Sequence, residues 1–296
     1  MEYDFAIIGA GPSGTVVARG LQSKGKKCVI LEKKEKLEEK TCGGLLTWSG
    51  LKCLEKQNID YMELLDIGGV KLTGFNLINQ NVHEVHKYHV GEFGIGIQRN
   101  KLDNWLLKKA EEMGVNILMG HDIKEYCFKN NAYIIDGIHA KNIIFATGAR
   151  GYCPQNKKSK LSEQSFGLSE QIKCTSTLNA NQVYFWFFEN GSKNYFWAIP
   201  NGNNIWNFGI WFYEIPKNPV KLYAYYKKKI IPKYFENFQI IKHLSGAFCG
   251  NVNLGEDLPN HIYGIGDFAG NNLKKNGEGL RYAIESAIKL IDNIEC

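Results

Sequence analysis

The segment Gly9-Ala10-Gly11-Pro12-Ser13-Gly14 follows a short apolar run, Tyr3 to Ile8, and opens a helical stretch through Ala18 and Leu21 to about Lys24. A run of that length suits a buried parallel strand. A second such run, Lys27 to Leu31, ends at Glu32, eighteen residues beyond Gly14. Strand, glycine turn, helix, strand and acid in this order form a βαβ unit that holds a dinucleotide. Gly9 permits the tight turn, Gly11 lets the backbone approach a pyrophosphate, and Gly14 lets helix and strand pack closely. The helix N-terminus, entered through Pro12 and Ser13, faces the phosphate charge. Glu32, followed by Lys33, accepts hydrogen bonds from the adenosine ribose.

Far along the chain, Gly264-Ile265-Gly266-Asp267 stands at a strand end, and Gly277-Glu278-Gly279-Leu280 opens the last helix. This pair selects FAD over NAD. FAD is the longer ligand, and its ribityl chain and flavin ring need partners beyond the pyrophosphate fold. Asp267 suits a ribityl hydroxyl. The helix N-terminus can direct N–H groups at the flavin edge that becomes negative on reduction.

Composition narrows the remaining choices. With 296 residues, 44% hydrophobic and 22% charged, the chain has material for one large or two modest domains. Its densest apolar run, Val183 to Phe188, is far short of the ~20 residues that span a bilayer. No signal peptide precedes the first strand, so a soluble, cytoplasmic protein is expected. The net charge of +6 is spread over mixed Lys/Glu runs from Lys24 to Lys40. Such runs are solvated faces and give no case for nucleic acid. None of the eight cysteines forms a Cys-x-x-Cys pair, which leaves no zinc or iron–sulfur framework and no metal site. Most read as small buried hydrophobes.

The pattern between these landmarks predicts helices from Ser49 to Lys56, from Lys101 to Met113 with Asn100 as cap, from Pro219 to Lys229, and from Glu278 to Ile294. Strands are expected at Val115–Met119, Ile123–Phe128, Ala132–Ile135, Asn142–Ala146 and His261–Ile265. Pro154 to Ser165 reads as a polar surface crossing. The aromatic-rich strands Val183–Phe188, Tyr195–Ile199 and Ile205–Phe212 suggest a second, antiparallel sheet. The expected fold is α/β: a Rossmann-like FAD-binding domain of glutathione-reductase type, with three ββα layers, over 1–67, 98–153 and 249–296. An antiparallel-sheet substrate domain covers 68–97 and 154–248.

These motifs, in this order, resemble the flavoprotein superfamily of aromatic hydroxylases, flavin halogenases and geranylgeranyl reductases, and most of all the reductase group. Lys40-Thr41-Cys42-Gly43-Gly44 is similar to that group's Lys-x-Cys-Gly-Gly, and Arg99 to Gly114 to its Arg-x-x-x-Asp helix. Tyr195-Phe196-Trp197-Ala198-Ile199-Pro200 is similar to Tyr-x-Trp-x-Phe-Pro. Gly266-Asp267-Phe268-Ala269-Gly270 and Gly277-Glu278-Gly279-Leu280 resemble Gly-Asp-Ala-Ala-Gly and Gly-Glu-Gly-Ile. The resemblance implies that Cys42, Gly43, Gly44, Arg99, Ile123, Ala146, Thr147, Gly148 and Gly266 join the cofactor site, and that Cys42, Tyr195 and Trp197 serve catalysis. Cys42 has several open roles: ring contact, tuning of potential, proton donation, or an inert buried thiol.

The departures carry information too. Where the superfamily has Gly-Ala-Asp-Gly, this chain has Ala146-Thr147-Gly148. That aspartate accompanies NAD(P)H use in the hydroxylases, so a ferredoxin- or flavodoxin-type donor stands beside NAD(P)H. Lys274 replaces a proline near the flavin, and against the resemblance the sequence is expected to stop soon after the last helix, where the reductases continue into a C-terminal domain. The implied activity is hydride and proton transfer to a carbon–carbon double bond of a prenyl or other apolar lipid, with peripheral membrane contact allowed. The alternatives are an FAD monooxygenase or halogenase, for which Lys71 is the candidate lysine, and an electron-transfer flavoprotein. Most of the sheet aromatics are expected to form core, with Tyr195 and Trp197 as exceptions.

Overall fold

The structure, a computed structural model, describes residues 2–79, 84–149, 165–188, 193–248, 258–270 and 277–294. Lys274 and residues 154–164 of the expected crossing lie outside the described residues. Five strands make a parallel sheet in the order β6 (Asn116–Met119), β2 (Cys28–Glu32), β1 (Glu2–Ile8), β9 (Ile138–Phe145) and β15 (Ile262–Gly264). β7 (Cys127–Lys129) and β8 (Ala132–Ile135) join the start of β9 as an antiparallel ribbon.

Side-chain alternation explains the layers. Phe5, Ile7, Cys28, Ile30 and Ile144 point to one side, into a core shared with α1 (Pro12–Ser23), α4 (Arg99–Glu112) and α6 (Gly279–Asn293). Ala6, Ile8, Val29, Leu31, Ile143 and Phe145 point to the other, against Tyr133, Ile135 and Phe268. Burial on both faces is why these strands read as continuous apolar runs. The result is the Rossmann-like, three-layer arrangement that the sequence predicts.

The second sheet runs β14 (Phe235–Phe248), β10 (Ser165–Ser176), β13 (Ile205–Phe212), β12 (Tyr195–Pro200), β11 (Gln182–Phe187), β4 (Val70–Asn79), β5 (Glu84–Gly96), β3 (Leu45–Thr47). It is antiparallel except at β11–β4, which pair in parallel. Those two strands are joined by a long crossover rather than a hairpin, which frees their direction. β3 comes from early in the chain and pairs with the last residues of β5. α5 (Pro219–Tyr234) covers one face, burying Tyr223, Tyr226, Ile230 and Ile231 against Trp186, Phe196, Phe208 and Phe212. The opposite face carries Trp197, Ile199 and Trp211. α2 (Trp48–Glu55) and α3 (Glu63–Asp66) complete the helices named here.

Three local expectations need correction. α4 begins at Arg99, not Lys101, because its first N–H groups are taken from outside the helix: Glu39 Oε1 accepts from Arg99 N at 2.9 Å and Oε2 from Asn100 N at 3.1 Å. Asn100 therefore lies inside the helix. The strand expected from Ile123 is confined to Cys127–Lys129. α5 continues past Lys229 to Tyr234, with Pro232 tolerated in its final turn.

Candidate functional site

A cavity of about 530 Å³ opens at the carboxyl ends of β1, β2 and β9, the place where an open parallel sheet receives ligands. Gly9, Gly11, Pro12 and Ser13 form its floor, and Glu32, Lys33 and Ile123 line one end. Gly9 has φ +109°, and an added Cβ would stand 2.6 Å from the Ala146 carbonyl oxygen. A Cβ on Gly14 would collide with the Gly9 carbonyl, so Gly14 packs behind the loop. Above Gly11 there is room: the nearest atom to an added Cβ is Lys40 Nζ at 3.9 Å. No side chain caps the N-terminus of α1. Glu32 is 8% exposed, and its carboxylate accepts from Ala10 N at 2.8 Å and Lys34 N at 3.1 Å, which ties the acid to the glycine turn.

Ala146, Thr147 and Gly148 leave β9 along the cavity wall, with Asp267 opposite. Asp267 lies in a 3-10 turn, Gly266–Ala269, whose Gly266 N donates to Ser286 Oγ at 2.9 Å. Gly266 itself packs on Ser13.

Arg99 also lines the cavity, and its guanidinium is gripped by Asp103 through bonds of 3.0–3.1 Å. Lys40 Nζ reaches the same carboxylate at 2.9 Å, and Asp103 is wholly buried. Burial alone would push the Asp103 carboxyl up, but the Arg99 and Lys40 charges outweigh it and hold it below the usual carboxylate range. Burial likewise opposes the Arg99 charge, which Asp103 and then Cys42 restore, so the guanidinium is held more firmly protonated than usual. The segments Lys-x-Cys-Gly-Gly and Arg-x-x-x-Asp contain Lys40 and Asp103, yet only the fold shows that they meet. Glu39 has no sequence signal at all.

A second cavity, about 760 Å³, lies against the free face of the second sheet. Phe75, Phe93, Phe185, Phe187, Tyr195, Trp197 and Trp211 wall it. All seven line the cavity, so Phe185, Phe187 and Trp211 join Tyr195 and Trp197 as exceptions, while Trp186, Phe196, Trp206, Phe208 and Phe212 are core beneath α5 as expected. Alternation along β12 puts Tyr195, Trp197 and Ile199 on the cavity side and Phe196 on the α5 side. Trp197 Nε1 donates to Asn207 Oδ1 at 2.8 Å. Gly43 and Glu278 line this cavity, while Gly44 packs behind the turn against Ile97 and Asn201.

Cys42, Gly277, Gly279 and Leu280 line both cavities. Gly277 has φ +74°, and a Cβ there would strike the Tyr195 hydroxyl. Burial first, with Cys42 and Glu278 adding, pushes the Tyr195 hydroxyl well above its ordinary pKa. Tyr195 is thus a neutral phenol at the junction. The Cys42 sulfur accepts from Gly44 N at 3.4 Å. Lys71 is half exposed, pairs with Glu92 at 3.2 Å, and stands outside the lining of the cavity.

The open floor above Gly11, the carboxylate at the end of β2 and the length of the first cavity fit a dinucleotide that extends to the shared wall. The chain belongs to the FAD-binding domain family, which matches residues 2–201. Within that class it is a geranylgeranyl-reductase-like, FAD-dependent oxidoreductase. It is 23% identical to digeranylgeranylglycerophospholipid reductase 1 of Methanococcoides burtonii, over 97% of this chain and 73% of that protein. Its fold matches a geranylgeranyl bacteriochlorophyll reductase-like protein of Thermoplasma acidophilum with a TM-score of 0.80 at 18% identity, covering 98% of this chain and 77% of that one. A halogenase variant in complex with FAD matches with a TM-score of 0.79 at 15% identity, over 98% and 68%. Among the described residues no helix is long and apolar enough to cross a membrane.

Proposed function

We propose that the chain saturates a carbon–carbon double bond of an apolar, prenyl-type substrate held in the second cavity. The observation that carries this reading is the shared wall: an aromatic-lined cavity of about 760 Å³ meets the dinucleotide cavity at Cys42 and the α6 N-terminus. Reduced FAD, when bound, supplies a hydride to one carbon of the double bond, and the other carbon takes a proton. Gly9, Gly11, Pro12, Ser13, Glu32 and Lys33 would hold the ADP half. Ile123, Ala146, Thr147, Gly148, Arg99, Asp267 and the turn Gly277–Leu280 would hold the remainder, with Gly14, Gly43, Gly44 and Gly266 shaping the walls. Tyr195 holds a proton on its hydroxyl, and the Cys42 thiol is the second proton carrier at the junction. Trp197, its N–H committed to Asn207, excludes water from that wall.

An unactivated alkene is a poor hydride acceptor, so proton delivery has to accompany the transfer. A cavity this apolar, with the Tyr195 hydroxyl and the Cys42 thiol at its inner end, offers two groups that can carry that proton out of reach of bulk water. Thr147 in the cavity wall supports an electron donor of ferredoxin or flavodoxin type over direct NAD(P)H oxidation. The test is anaerobic turnover of the photoreduced protein with a panel of prenyl lipids and small enones, read by mass spectrometry. Hydrogenated prenyl product is expected. Rapid oxygen consumption with hydroxylated or halogenated product, and no alkene reduction, would replace the reductase reading with the oxygenase one. Reduction of the bound flavin by dithionite but only slowly by NADPH is the expected donor result.

A further inference from the structure

We infer that Lys40 is the countercharge for the phosphate-bearing half of the dinucleotide, and that Asp103 is its positioning residue. The glycine loop creates the need. The N-terminus of α1 offers N–H groups and about half a unit of positive charge, against the roughly two negative charges of a diphosphate. The first turn of α1, Pro12-Ser13-Gly14, contains no cationic side chain. Any side-chain cation that joins those N–H groups comes from elsewhere in the fold.

Lys40 meets the geometric requirement. Its Nζ is the nearest atom to a Cβ built on Gly11, at 3.9 Å, on the side that the glycine leaves open. The Lys40 side chain is 36% exposed, and a lysine with that freedom would ordinarily be mobile. Asp103 removes the freedom by pairing with Nζ at 2.9 Å. The carboxylate is itself immobile: it is wholly buried and held by three bonds from the Arg99 guanidinium.

Lys40, Arg99 and Asp103 together carry one net positive charge, and Glu39, which also lines the cavity and accepts from the α4 N–H groups, brings the group to neutrality. A phosphate beside Lys40 gains a charge-assisted bond, among the stronger ones. Lys33 and Lys34 stand at the Glu32 end of the cavity, and Lys34 pairs with Glu38 at 3.8 Å, so neither duplicates Lys40 at Gly11.

The inference rests on the FAD reading, and the experiment separates the two. Apoprotein is titrated with FAD, ADP and riboflavin, at low and high salt, for the parent, Lys40→Met and Lys40→Arg, with flavin fluorescence and calorimetry as readouts. Lys40→Met is expected to weaken FAD and ADP together by roughly ten-fold or more at low salt, to flatten their salt dependence, and to leave riboflavin unchanged. Lys40→Arg should recover most of the loss. Asp103→Asn should reproduce the Lys40→Met pattern if it folds; the lysine variants decide the matter if it does not. Unchanged FAD and ADP binding in Lys40→Met overturns the assignment alone, as does an equal loss of all three ligands. A parent that binds neither FAD nor ADP overturns the cofactor reading and the inference together.

Discussion

Gly277 concentrates several demands on one position. It lines both cavities, its φ of +74° lies where glycine alone is unstrained, and its missing Cβ leaves room for the Tyr195 hydroxyl. Gly277→Ala is expected to destabilise the protein by about 1–2 kcal/mol through strain and collision, seen as a lower melting temperature, and to weaken flavin uptake. Pairing it with Tyr195→Phe should recover the part of the loss caused by the collision. By itself, Tyr195→Phe should leave flavin binding intact and lower double-bond reduction by at least about ten-fold. A Cys42→Ala protein with full turnover would remove the thiol from the chemistry and leave Tyr195 as the proton source. At this scale the local features were legible: the glycine loop and Glu32 belong to one short unit whose order dictates its geometry. The Lys40–Asp103 contact was not, because its partners are far apart in the chain and nothing in either segment specifies the other.

Among the elements, α4 shows how a helix can be started from outside. Glu39 accepts hydrogen bonds from both Arg99 N and Asn100 N, so a loop residue does the work normally assigned to an N-cap side chain. Glu39→Ala should cost about 1 kcal/mol, a drop of about 2–4 °C in melting temperature for a chain of this size. Asn100→Ala should cost less, since Asn100 Oδ1 accepts from the adjacent Lys101 N. Equal losses in the two variants would return the cap to Asn100. Sequence reasoning placed the cap on Asn100 because it searches within a few residues of the helix, and Glu39 acts from sixty residues away. The same limitation explains β3 and the parallel β11–β4 pair, both set by long-range pairing. The alternation of β12 was readable, because period two is a property of the strand itself; which face α5 would cover was not.

For the molecule as a whole, two buried thiols give the stability a pH dependence. Burial, with a smaller contribution from Asp4, pushes Cys28 up to about 12, and burial pushes Cys174 to about 11. In the unfolded chain both thiols ionise near about 8.5. Above that pH the unfolded state sheds protons that the folded state keeps, so stability falls as pH rises, by up to about 1.4 kcal/mol per unit for each thiol, until the folded values are passed. Urea unfolding at about pH 8 and about pH 10.5 should show the decline, and replacing both cysteines with alanine should flatten it.

The wall formed by Cys42, Gly277, Gly279 and Leu280 has a thermodynamic consequence. Two ligands that press on the same four residues cannot bind independently. Whatever factor the occupant of the aromatic cavity imposes on the affinity for the dinucleotide, the dinucleotide imposes in return. An apolar compound that tightens or loosens flavin binding at equilibrium thereby reports its own preference for the flavin-loaded form, before any turnover is measured.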